Sequence, residues 1–546
     1  MNKEKEQNII FGIVAVVCII LFAFAISPKS LQNDTFYTIA IGKHIYNNGI
    51  SNLNNTKDIF SWHDITYTYP HWLYDLGIFV IYNNFGHGGI YASTIILASV
   101  LGLIIYALCK KSSNNKIVSL VITILAMWLI KPYIAARAQL LTFVLFGLTV
   151  YSIEMFLSNH KKRYLVYLLI IPLIIANAHC AVFPFYFILY LPYIAEFLIE
   201  VLVDLDLDLR IYKLILKLIY KIVKKDSIRE KIQPKIDKIP EKSDKKRKVR
   251  EKVRANPYKI KVTKNFLVIP LIIVMLISVF TGLLNPAGNG AYTYLYKTMQ
   301  GNTTDSINEH QPLILVHAEE FLYAIIIFLA ILIFTDTKIK LSDLFMLVGL
   351  TALAFKTKRQ ISMFAIFCAP IMANLIAAMF EKYDKKAYGK LMNFAGSVLG
   401  ASAIIITMAI ISINMLKPIL KTQYIDEAGY PIEAADWMLK NLDVKNIKLY
   451  NEYNYGSYLL FRGIPVFVDS RADLYAPEFN GKKDIFSDAL NIAGIALNYK
   501  TAFRDYGVTH VITYENAKLA MLLEDDSDYK KIYEDDHFKL FERIAK

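Results

Sequence analysis

The chain has 546 residues, of which 55% are hydrophobic and 20% charged, and its mean hydropathy is +0.37. Apolar runs of about 18 residues or more recur along it, the length a membrane-spanning helix requires, which excludes a soluble enzyme and a disordered protein. The net charge of +14 does not point to nucleic acid, because residues 203–264 hold 21 Lys/Arg against 9 Asp/Glu and so carry +12 of it.

Eleven spans are predicted, at 8–26, 89–108, 117–134, 139–157, 164–182, 184–202, 265–284, 320–335, 341–355, 361–379 and 391–415. The first reads as a retained span, since its apolar stretch from Ile9 to Ile26 is longer than a cleaved leader needs. The segments 110–116, 159–163, 203–264, 336–340 and 380–390 are basic, so the positive-inside rule places them and the amino terminus in the cytoplasm. The opposite set is 27–88, 131–138, 178–184, 285–319, 356–360 and the chain after 415. The short ninth span is the weakest element of this topology. The four cysteines fall singly in or beside apolar runs, without the spacing of a zinc site or a disulfide framework.

Within 203–264, residues 209–223 pair an apolar stripe with lysines at helical spacing. They are expected to lie as a helix on the inner membrane surface, with anionic lipid as partner. The rest of that loop, Lys-rich and broken by Pro234, Pro240 and Pro257, is expected to be mobile. No aromatic platform accompanies the charge, so no nucleic acid is expected. Residues 416–546 read as a small extracytoplasmic α/β domain following the transmembrane domain 1–415. Strands are predicted at 447–452, 465–469, 509–514 and within 530–543, and helices at 431–442, 456–462, 484–506 and 516–523. No GxGxxG or P-loop is present.

Ionisable residues near the middle of the spans are nearly absent, which counts against an ion-coupled transporter. They gather instead in the segments assigned outside. The loop 27–88 carries Asp34, Asp58 in KDIFSW and His71 in PHWLYD. Further along stand Arg137 in RAQL, His179 in ANAH, the NPAG that closes the seventh span, Glu309 and His310 in NEHQP, and Arg359 in KRQISMF. Carboxylates, imidazoles and guanidinium groups on one membrane face suit transfer of a sugar from a polyprenyl-phosphate donor. A carboxylate can take the proton of an acceptor hydroxyl, while Arg or His stabilises the departing phosphate. Asp34 is the expected general base. Asp58, His71, Arg137, His179, Glu309, His310 and Arg359 are the expected substrate-binding residues, with Asp469 and Arg471 as further candidates at the carboxyl end of a predicted strand.

Taken in order with the closing segment YNEYNYGSYLLFRGIPVFVDSRADLY, these motifs resemble the GT-C superfamily of polytopic glycosyltransferases. That superfamily includes protein O-mannosyltransferases, oligosaccharyltransferase catalytic subunits and aminoarabinose transferases, and the closer resemblance is to a group of bacterial membrane proteins of GT-C type. It implies a mainly-α polytopic helix bundle. The implied activity is an inverting transfer from a lipid-phosphate-linked sugar to an envelope glycan or lipid acceptor outside the cell membrane, as in polysaccharide biosynthesis. Asp34 matches the acidic residue that follows the first span in that group. Where several members carry an acidic pair, Thr35 follows Asp34 here, and neither a metal-binding carboxylate set nor a WWD-type motif is visible. No metal ligands are assigned and a divalent metal is left open. The alternatives are a noncatalytic subunit of envelope polysaccharide assembly and a transporter or flippase of lipid-linked sugars.

Overall fold

A computed structural model describes residues 3–51, 53–223, 226–301 and 303–544; positions 224 and 225 of the basic segment lie outside them. The protein is a multi-pass helix bundle. Every predicted span is helical, and seven helices are long and apolar enough to cross a membrane: Lys5–Ile26, Trp72–Ser113, Lys116–Tyr133, Ala138–Asn159, Cys180–Asp204, Lys358–Tyr383 and Val398–Lys421. The remaining predicted spans are the shorter helices Arg163–Ala178, Val268–Val279, Glu319–Phe334 and Leu341–Lys356. One apolar core runs through the bundle, from Phe11 and Cys18 through Leu101, Phe143 and Ile175 to Phe364 and Leu375. All four cysteines are free and buried.

Several expectations change. The segment 27–88 is not a loop throughout, because Asn33–Asn48 is a helix and the second long helix already begins at Trp72, kinked where Gly86 takes φ +59°. Gly42 lets these two helices touch: a Cβ there would collide with the Asp75 carbonyl and the Phe79 side chain. The Lys-rich part of the basic segment is helical over Asp226–Asp237 and Ile239–Ala255. Pro240 sits in a first turn, where its missing N–H costs nothing. Arg250 reaches Asp206 at 2.5 Å and Arg254 reaches Asp204 at 2.8 Å, holding the pair of helices against the end of the preceding span. Finally, the division at 415 falls inside the helix Val398–Lys421.

The carboxyl-terminal residues form a four-stranded sheet in the order Leu449–Tyr450, His510–Tyr514, Phe538–Arg543, Tyr529–Glu534. The first pair is parallel and the other two antiparallel. The predicted strand 465–469 makes only an isolated bridge, Ser61 to Val466. Its Val466, Phe467 and Val468 are apolar because they are completely buried. The predicted helix 484–506 is two helices, Ile485–Ala493 and Tyr499–Tyr506. This unit shares its core with the first segment: Tyr67 and Tyr69 pack with Tyr450, Phe467 and Tyr475, and Phe36 packs edge-on against Tyr430 and Tyr458.

Candidate active site

Element ends at six places in the chain come together beside the carboxyl-terminal unit, where Asn33 Nδ2 donates to Tyr453 O at 2.8 Å. Asp34 lies in the first turn of Asn33–Asn48, where the positive end of the helix favours a carboxylate. Arg137, extended at φ −131° and ψ 153°, is the residue before the helix Ala138–Asn159. Its guanidinium pairs with Asp34 on one arm and with Glu309 Oε1 at 3.0 Å on the other. Glu309 and His310 stand in the turn Asn308–His310. That turn is fastened to Lys358–Gln360: Lys358 donates its backbone N–H to Gln311 O at 3.0 Å and its Nζ to Asn308 Oδ1 at 2.7 Å. The Tyr133 hydroxyl donates to Lys358 O at 2.6 Å, so the segment before Arg137 holds the same turn.

Arg359 therefore stands beside Arg137 and Glu309 on a braced turn. No carboxylate pairs with it among the described residues. The neutral imidazoles complete the ring of groups. His71 is the residue before Trp72–Ser113, with Tyr37 Oη 3.5 Å from its Nδ1. Its ring meets that of His179 edge-on at 4.8 Å, and His179 Nδ1 lies 2.7 Å from Thr142 Oγ1. Trp72 Nε1 donates to Asn177 Oδ1 at 3.0 Å, and Asn177 Nδ2 donates to Leu284 O at 2.9 Å, which ties in the NPAG turn.

The electrostatics follow from burial beside two arginines. Burial, then the Arg359 and Arg137 charges, push His71 down to about 4. Burial and Arg359 do the same to His310, over the weaker opposing pull of Glu309. Burial opposes the charge of Glu309, but Arg137 and Arg359 outweigh it and hold the carboxyl below its ordinary range. The centre is thus a pair of guanidinium groups, with Asp34, the charge-stabilised Glu309 and the imidazoles around them.

The sequence-derived candidates divide into two groups. Asp34, His71, Arg137, His179, Glu309, His310 and Arg359 converge. Asp58, Asp469 and Arg471 do not join them: they form a separate ion cluster, closed to solvent, between the first segment and the sheet unit. Arg471 reaches Asp58 at 2.8 Å and Asp469 at 2.7 Å, and the side chains are 3%, 0% and 0% exposed. Tyr475 donates to Asp469 at 2.5 Å, and the Tyr67 ring lies 4.7 Å from the guanidinium carbon. Every charge there already has its partner, so this cluster fastens chain to chain.

Sequence reasoning missed Asp473, which feels the charge of Arg359 and accepts from Thr298 Oγ1 at 3.1 Å and Thr303 Oγ1 at 3.2 Å. Burial pushes its carboxyl up against those hydrogen bonds. Its position in DSRADLY, two residues beyond Arg471, was the available signal. Tyr37 and Tyr133 were missed because tyrosines abound and nothing in their spacing marks them. No three His, Cys, Asp or Glu side chains among the described residues are placed to hold a metal ion. Asp34 and Glu309 both face Arg137, so these residues do not fit a metal centre, and no step is derived through one.

No family model and no curated protein matches this chain. Among solved structures it is similar to the archaeal oligosaccharyltransferase AglB from Archaeoglobus fulgidus, determined with an inhibitory peptide and a dolichol-phosphate. The match has a TM-score of 0.50 at 13% identity and covers 93% of this chain and 69% of that one. The fold is GT-C-like. At this identity the similarity concerns the fold.

Proposed function

We propose that the protein is an integral membrane glycosyltransferase that moves a sugar from a polyprenyl-phosphate-linked donor to a hydroxyl of an envelope glycan or lipid, outside the cytoplasmic membrane. The observation that carries this reading is Arg359, a cation on a braced turn with no carboxylate of its own among the described residues, beside an Arg137 whose two arms are taken. A phosphate is the ligand such a cation suits, since a guanidinium matches it in geometry as well as charge. The structural neighbour was determined with a dolichol-phosphate, which is chemistry of the same class.

In this reading Arg359 binds the donor phosphate, with His71 and His310 available as uncharged hydrogen-bond partners. Arg137 orients Asp34 and Glu309. Asp34 takes the proton of the acceptor hydroxyl as its oxygen bonds to the anomeric carbon. The bond from that carbon to the phosphate oxygen breaks, with inversion, and the polyprenyl phosphate leaves carrying the electron pair. Arg359 stabilises the charge that builds on it.

The test is donor turnover by the purified chain. Arg359→Gln is expected to lower transfer at least about 100-fold, as loss of one charge-stabilising donor does, with Arg359→Lys recovering part of it. Asp34→Asn is expected to abolish turnover while donor binding persists. The second reading, a noncatalytic assembly subunit, draws on the Asp34–Arg137–Glu309 pairing, which as it stands is a structural tie. It predicts that both variants keep full function.

A further inference from the structure

The apolar stretch that begins beside His179 runs from Cys180 to Asp204. At about 1.5 Å per residue it carries the chain a full membrane thickness away from the Arg137 centre. Helix Leu207–Ile222 starts only a few residues later, so it must lie at the surface of the bilayer. Its sequence divides into three sectors when residues are placed about 100° apart. Leu209, Leu216 and Tyr220 share one, and pack against Ile232, Ile236 and Ile239 of the two helices that follow. Leu214, Leu218 and Ile222 belong to a second, which is left largely uncovered by the described residues: they are 61%, 54% and 74% exposed. Arg210, Lys213, Lys217 and Lys221 fill the third, a strip of about 80° between the other two.

The charge arrangement around this helix is selective. Arg250, Arg254 and Lys264 are taken up by Asp204 and Asp206 at the end of the span, at 2.5 to 2.8 Å. Among the described residues no carboxylate pairs with Arg210, Lys213, Lys217 or Lys221. The following helices thus cover one flank, and Arg250 and Arg254 tie them to the end of the span. An aliphatic row and a row of unpaired cations are left side by side at membrane level, and that combination matches the acyl and headgroup layers of an anionic leaflet.

We propose that helix Leu207–Ile222 is a lipid-binding element, its aliphatic row sunk among acyl chains and its four cations holding the headgroups of anionic phospholipid. The proposal is independent of the reaction at the other face. The test uses the full chain in vesicles containing phosphatidylcholine and phosphatidylglycerol in equal amounts, with a bimane fluorophore on Leu218→Cys. The four native cysteines are buried and stay unlabelled. Brominated acyl chains should quench the probe and aqueous iodide should not. Brominated phosphatidylglycerol should quench about threefold or more as strongly as brominated phosphatidylcholine. Replacing Lys213, Lys217 and Lys221 with Gln should remove that preference while quenching by acyl chains remains. Quenching by iodide alone overturns the placement of the helix. Equal quenching by the two lipids, or a preference that survives the triple substitution, overturns the headgroup site.

Discussion

Arg359 and Arg471 show how the surroundings of one residue type decide its role. Arg471 is enclosed with Asp58 and Asp469, so removing it strands two buried carboxylates. Arg471→Met is expected to cost about 3–5 kcal/mol, read as a large fall in Tm in detergent; an unchanged Tm would show that the cluster is not a fastening. Arg359 has no such partners among the described residues, and Arg359→Gln is expected to leave Tm nearly unchanged while transfer falls. The histidines give a pH prediction. His63, buried with its Nε2 2.9 Å from Phe467 O, and His71 are both pushed down to about 4, first by burial. In the unfolded chain they take protons near 6.5. Between these values the unfolded state binds more protons, so stability is complete above about pH 6.5 and is lost as pH falls toward 4. A Tm that drops between pH 7 and 5, and drops less in His63→Gln, is the expected result. The Asp58–Arg471 pairing was invisible in the sequence, because the two are 413 positions apart; the residue types could be picked out in both clusters, but not which of them meet.

Elements were legible wherever length and hydropathy decide them, which is why each predicted span is a helix. The helix Asn33–Asn48 was hidden because its face toward solvent carries Lys43, His44 and Asn48, and its buried face looks ordinary in a segment that is otherwise a connection. The apolar run at 465–469 imitated a strand, since complete burial selects the same residues that a central strand does. Two glycines stand where elements distant in sequence touch closely. A Cβ at Gly42 would meet the Asp75 carbonyl of the next helix, and one at Gly456 would meet the Val468 carbonyl. Both contacts are with backbone, which cannot swing aside as a side chain can. Gly42→Ala and Gly456→Ala are therefore each expected to reduce folded yield severely on size-exclusion in detergent. Gly77→Ala, where a Cβ meets nothing, should be neutral; a normal yield for Gly42→Ala would contradict the close approach of the two helices.

At the scale of the whole molecule, a GT-C-like bundle has its cationic centre at one end and a strongly basic helical segment at the other. Composition revealed the bundle and the basic segment. It could not reveal that the carboxyl-terminal unit shares a core with residues 31–90, because buried aromatic contacts such as Phe36 with Tyr458 leave no periodic trace. The central claim is that this architecture transfers a sugar from a lipid phosphate. The measurement that tests it most directly is the profile of envelope glycans and lipid-linked sugars in a strain lacking the protein, complemented at matched expression with the natural chain, Asp34→Asn or Arg359→Gln. The account predicts that the deletion loses one sugar decoration and accumulates its loaded lipid carrier, and that only the natural chain restores both. An unchanged profile in the deletion, or full restoration by either variant, would contradict it.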